Sequence, residues 1–126
     1  MRNQRRPMVD RDTVAQWAIA AARAADEKNG TNTLILEVGK VLAITDMFVV
    51  TGANSSRLVR TIADEVEMQV AAAGGGQPLR VEGLQEASWV LLDYGDLVVH
   101  IFTEETRAFY EIERLYRDVP VVPWRE

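Results

Sequence analysis

The sequence has no cysteine, a single histidine, four prolines and eight glycines among its 126 residues. Without thiols there is no disulfide, no Cys-ligated zinc and no thiol nucleophile, and a cytoplasmic location is the simplest expectation. With His100 alone, histidine metal pairs and double-histidine acid-base schemes are excluded by counting. Long apolar runs are also missing. Met47 to Val50 and Leu97 to Phe102, the latter containing His100, fall far short of the ~20 residues of a membrane span. The basic, polar N-terminus lacks the apolar segment of a secretory signal. There is no basic excess either: 14 Lys and Arg stand against 19 Asp and Glu, giving a net charge of -5. Nucleic acid is therefore not expected as the main partner.

What is present is the composition of one ordinary globular domain, with 48% hydrophobic and 26% charged residues. Residues 1–11 read as a disordered basic tail carrying Arg2, Arg5 and Arg6, and residues 12–122 as a single domain. Val14, Trp17, Ala18, Ala21, Ala22 and Ala25 recur at helical spacing after Asp12, the expected N-cap, and Gly30 stops the helix. Its stripe is mostly alanine, so Trp17 must anchor it. Thr33 to Val38 and Met47 to Gly52 read as strands, with a turn or irregular strand over Gly39 to Asp46. A second helix starts at Asn54 or Ser55, carries Leu58, Val59, Ile62, Ala63, Val66 and Val70 inward, and ends at Gly74-Gly75-Gly76. Gln77 to Gly83 reads as a short edge strand, with Pro78 tolerated at its beginning.

Ser88 to Phe102 is the most informative segment: two apolar runs joined by Asp93-Tyr94-Gly95-Asp96, a hairpin signal. With Tyr94 and Gly95 as the loop, Trp89 faces His100, Leu91 faces Val98 and Asp93 faces Asp96 on one side of the sheet. Val90, Leu92, Leu97, Val99 and Ile101 make the other side purely apolar, which requires a cover of helices. A third helix follows Thr103, with Ala108, Phe109, Ile112, Leu115 and Tyr116 as its inward stripe. Hairpin strands together with crossover helices imply an α/β fold, an αβα sandwich on a mixed sheet.

Catalytic readings are thin. Gly52-Ala53-Asn54-Ser55 is a strand-to-helix turn that could meet a phosphate, but it lacks the P-loop lysine. The nearby carboxylates Asp64, Glu65 and Glu67 sit on a helix whose outer face is expected to be charged anyway. No G-x-S-x-G elbow exists for a serine triad. No catalytic residue, metal site or cofactor is expected, although a metal-dependent nucleotidyltransferase stays open as the enzymatic alternative. The mixed hairpin face offers more. Trp89 and His100 are either a half-buried structural pair or a contact site; Tyr94 is expected exposed at the hairpin tip, and Tyr110 off the inward stripe of the third helix. Rimmed by Asp93, Asp96, Glu104 and Glu105, these aromatics sketch a surface for a basic protein.

The run Trp89-Val90-Leu91-Leu92-Asp93-Tyr94-Gly95-Asp96-Leu97-Val98-Val99-His100-Ile101-Phe102, followed by Glu104-Glu105-x-Arg107-Ala108-Phe109-Tyr110, resembles the ribosomal silencing factor S family, also called Iojap. Ile44-Thr45-Asp46-x-Phe48-Val49-Val50, Asn54-Ser55-x-Arg57, Ile62-Ala63-Asp64-Glu65-Val66 and Glu82-Gly83 agree with it. The resemblance implies a nucleotidyltransferase-like fold without enzymatic activity. It also implies a translational repressor that binds the large ribosomal subunit through a basic ribosomal protein and sterically blocks the small subunit, or else a large-subunit assembly factor. A homodimer off the ribosome is implied as well, with the hairpin face as one candidate interface. By position, partner binding falls to Trp89, Asp93, Tyr94, His100, Glu104, Phe109 and Tyr110, with Phe109 as a support. Ala87-Ser88, Leu58 and Tyr116 stand where the family commonly has Gly-Arg, glutamine and tryptophan.

Overall fold

The structure, a computed structural model, describes residues 9–125; Arg2, Arg5 and Arg6 of the expected basic tail lie outside the described residues. Five strands form one mixed sheet in the order β1-β2-β5-β4-β3. Helix α1 (Arg11–Glu27) leads into β1 (Thr31–Glu37) and β2 (Met47–Ala53), which pair antiparallel. Helix α2 (Ser56–Ala72) carries the chain to the far edge, where β3 (Arg80–Glu82), β4 (Trp89–Asp93) and β5 (Leu97–Thr103) form an antiparallel meander. The meander returns β5 to the centre, parallel to β2. Two short helices follow, α3 (Glu104–Tyr110) and α4 (Ile112–Leu115).

The caps explain the helix starts. Asp10, rather than Asp12, caps α1, its carboxylate accepting the Thr13 N–H at 2.9 Å, so residues 10 and 11 belong to the folded domain. Asp12 falls in the first turn, where negative charge suits the helix dipole. Ser55 caps α2 through the Leu58 N–H at 3.1 Å. Helices α1 and α2 cover one sheet face, where Val90, Leu92, Leu97, Val99 and Ile101 are fully buried against Trp17, the α1 alanines, Val59, Ile62, Ala63, Val66 and Val70. On the other face Leu36, Val38, Phe48, Val50, Phe102 and Ile112 form a smaller cluster.

The end of the chain seals one sheet edge. Beyond α4 it runs beside β1: the Glu37 N–H donates to Pro120 O and the Val122 N–H to Ile35 O, each at 2.9 Å, and Leu36 pairs antiparallel with Val121. Trp124 is buried and donates its indole N–H to Thr33 O at 2.9 Å, while the Arg23 guanidinium donates to the Trp124 carbonyl at 3.1 Å. The packed chain thus continues past Val122. At the opposite edge β3 is short, and all three of its residues are exposed.

Two further expectations need correction. The hairpin register is displaced by two residues: Trp89 pairs with Phe102, Leu91 with His100 and Asp93 with Val98. The loop is Gly95-Asp96, with Gly95 at φ 91° and the Tyr94 N–H bonded to Leu97 O at 2.8 Å. Positive φ at the first loop position alone is the type II′ pattern that suits the strand twist. An even displacement leaves each side chain on its expected face. The second correction concerns the last helix, which breaks at Glu111, in the left-handed region at φ 47°. The break ends the periodicity, so Ala108, Phe109 and Leu115 are exposed while Arg107 and Ile112 turn inward.

Candidate docking site

The face opposite α1 and α2 carries a chain of aromatic rings. Trp89, half-buried at the start of β4, lies between Phe102, 4.8 Å from it between ring centroids, and Tyr110 on α3, at 5.0 Å. Tyr110 meets Phe109 edge-on at 4.9 Å. Beneath them His100 approaches Phe48 at 4.6 Å, and Phe48 meets Tyr116 at 5.3 Å. Such rings bring large apolar area and little conformational freedom to a contact surface. Phe109 is 79% and Tyr110 52% exposed. A cleft of about 400 Å³ lined by Gly83, Gln85, Glu86, Ser88 and Trp89 continues the surface towards the β3–β4 loop.

His100 is 5% exposed and so is a support under the surface. Although Leu91 is its directly paired residue, the Trp89 indole N–H reaches it diagonally and donates to Nδ1 at 3.2 Å. The ring proton of the neutral imidazole is therefore on Nε2, which is buried without a hydrogen-bond partner among the described residues. Burial pushes the His100 pKa down from 6.5 to about 4, so the ring is uncharged at neutral pH.

The other expected site residues divide between the two ends and faces of the sheet. Glu104 is exposed in the first turn of α3 and accepts the Thr31 hydroxyl at 3.2 Å. Phe109 does not support the sheet from within, because the break at Glu111 turns it to solvent. Asp93 lies at the far end of β4 from Trp89, bound to Arg80 at 2.8 Å and accepting the Gly95 N–H at 2.8 Å. Tyr94 is not at an exposed tip. It is fully buried in the core under α1 and α2, its hydroxyl pKa raised by burial and by Glu67. The signal was present in the alternation, since Val90, Leu92 and Tyr94 share one parity.

Near the turn, the Asp46 pKa is raised, first by burial and then by the neighbouring negative charges of Asp96 and Glu37. The α2 carboxylates do not assemble: Glu65 accepts from Gln69 at 2.8 Å, and Glu67 is shifted up by burial and by Asp64. Among the described residues no group of three His, Asp or Glu side chains could hold a metal ion, and no helix is long and apolar enough to cross a membrane.

The family described as "Ribosomal silencing factor during starvation" matches residues 11–126. The chain belongs to the ribosomal silencing factor family. The names point to ribosome-associated regulation. A silencing factor from Bacillus subtilis (strain 168), "Ribosomal silencing factor RsfS", is 39% identical over 101 residues, 80% of this chain and 85% of the relative. A mouse relative, "Mitochondrial assembly of ribosomal large subunit protein 1", is 27% identical over 71% of this chain and 40% of its own length. Among solved structures, a Chromobacterium violaceum protein superimposes with a TM-score of 0.76 at 28% identity, covering 86% of this chain and 88% of that one. A Bacillus halodurans protein gives 0.70 at 34% identity over 89% and 98%. The mixed five-stranded α/β sandwich is thus the silencing-factor fold.

Proposed function

We propose that this silencing factor docks on the large ribosomal subunit through a basic ribosomal protein and sterically prevents the small subunit from joining. The observation that carries the proposal is the continuous surface of Trp89, Tyr110 and Phe109, with Glu104 and Glu105 on the same helix as the two exposed rings. Aromatic anchors with an acidic rim fit a basic protein surface better than a phosphate backbone, and the net charge of -5 points the same way. Asp93, Asp96 and Asp46 would steer the approach from the far end of the sheet. The protein acts in the cytoplasm in this reading, and off the ribosome a second copy pairs through the same hairpin face.

The test is co-sedimentation with separated ribosomal subunits, followed by addition of the small subunit. Selective binding to the large subunit with loss of joined ribosomes is the expected result; absence of binding would overturn the proposal. The printed name of the mouse relative favours a second reading, a role in large-subunit assembly. Binding to the large subunit with normal joining would select it.

A further inference from the structure

We infer that Arg107, a residue the docking surface does not include, is the positioning residue that sets the pose of α3 and hence of Phe109 and Tyr110; its link to docking rests on the function proposed above. Arg107 is 9% exposed, and its guanidinium bonds to two separate pieces of chain, α4 and the start of β1. Nε donates to Glu113 Oε2 on α4 at 3.0 Å, Nη1 to Thr31 O at 3.0 Å and Nη2 to Asn32 O at 2.8 Å. A planar fork spreads its donors over three nitrogens in fixed directions and so spans acceptors that a lysine ammonium, with its three donors on a single nitrogen, cannot reach together.

The start of β1 is shaped to receive this fork. Its pairing with β2 is irregular between Thr31 and Leu34, and Asn32 adopts φ 49°. The two carbonyls that β1 offers to the guanidinium thus lie at the start of the break in the ladder and within it. Opposite them Gly52 leaves the necessary room: a Cβ there would stand 3.0 Å from Thr31 Oγ1 and 3.4 Å from Arg107 Nη1. On the other side Glu113 holds α4 to Arg107 across the left-handed Glu111, whose own N–H bonds to Arg107 O at 2.8 Å. Arg107 therefore fixes α3 to the sheet and α4 to α3. That arrangement turns Phe109 outward and lays Tyr110 on Trp89. A buried cation with one carboxylate partner is costly to leave half-satisfied, so the pose has few alternatives.

Three variants test this: Arg107→Lys, Glu113→Gln, which keeps shape but removes the counter-charge, and Phe109→Ala as a surface control. Backbone hydrogen exchange reads the pose, and co-sedimentation with the large subunit reads docking. The expected result is exchange faster by about tenfold or more over residues 104–115 in the first two variants, with α2 unchanged. Docking falls by about tenfold in the same two variants. Phe109→Ala should weaken docking without altering exchange. Unchanged exchange in both Arg107→Lys and Glu113→Gln would overturn the positioning role. Faster exchange with undiminished docking would overturn its link to the surface. If the wild-type protein itself fails to bind the large subunit, the proposed function falls and the link to docking with it, while the exchange arm still decides whether Arg107 holds α3.

Discussion

Strands β4 and β5 present two faces built from alternate residues of the same fifteen-residue stretch, Trp89 to Thr103, and the faces end in different states. On one, Val90, Leu92, Tyr94, Leu97, Val99 and Ile101 are sealed under two helices of 17 residues each. On the other, Trp89, Leu91, Asp93 and Val98 are half-buried, and the cover is a seven-residue helix that leaves its own aromatics in solvent. A sealed face stabilises the fold and tolerates only side chains of matching volume. A face that keeps large rings at the boundary with water gives up part of that stabilisation and retains apolar area for association.

Substitutions should separate the two faces. Ile101→Ala, on the sealed face, should cost about 2–5 kcal/mol of stability through lost burial and a residual cavity, read from urea unfolding, while molecules that remain folded keep their docking. Acid should act through the open face. The unfolded His100 takes up a proton near 6.5 and the folded one only near 4. This contribution to stability is intact above pH 6.5, falls as the pH drops between the two values, and totals about 3 kcal/mol. His100→Gln should flatten the stability profile in that window, and an unaltered profile would place the titration elsewhere. Trp89→Ala should weaken large-subunit binding by about 2 kcal/mol, or about thirtyfold, if Trp89 anchors the contact. Phe109→Ala is the mildest: unfolding free energy within about 0.5 kcal/mol of the parent, with docking alone reduced.

The sealed face could be read from the sequence because its signal is a simple period. Val90, Leu92, Val99 and Ile101 alternate strictly, and the stripes of α1 and α2 have unbroken helical spacing. The register of the hairpin was harder, since Tyr94-Gly95 and Gly95-Asp96 are both acceptable loops. The choice was made by burial of Tyr94, a tertiary effect outside the turn itself. Of the proposed docking face, the aromatic positions Trp89 and Tyr110 could be picked out from the sequence, but their geometry could not. A left-handed Glu111 carries no local mark, and the periodicity of residues 108 to 116 runs across it as though the helix were continuous. Arg107 was inconspicuous for a similar reason: its acceptors are carbonyls of Thr31 and Asn32, 76 and 75 residues away, and backbone acceptors leave no residue-type signature.

The seating of Trp124 has a consequence for the order in which the molecule is completed. Its hydrogen bond to Thr33 closes a separation of 91 residues, so β1 can acquire its outer neighbour only after every other strand has been synthesised. Chain emerging from a ribosome therefore passes through a stage in which the rest of the sheet can assemble while the row of peptide groups on β1 still faces water, open to pairing with another nascent strand. Synthesis of residues 120–124 ends that exposure and sets the moment at which β1 is shielded from other copies of the chain.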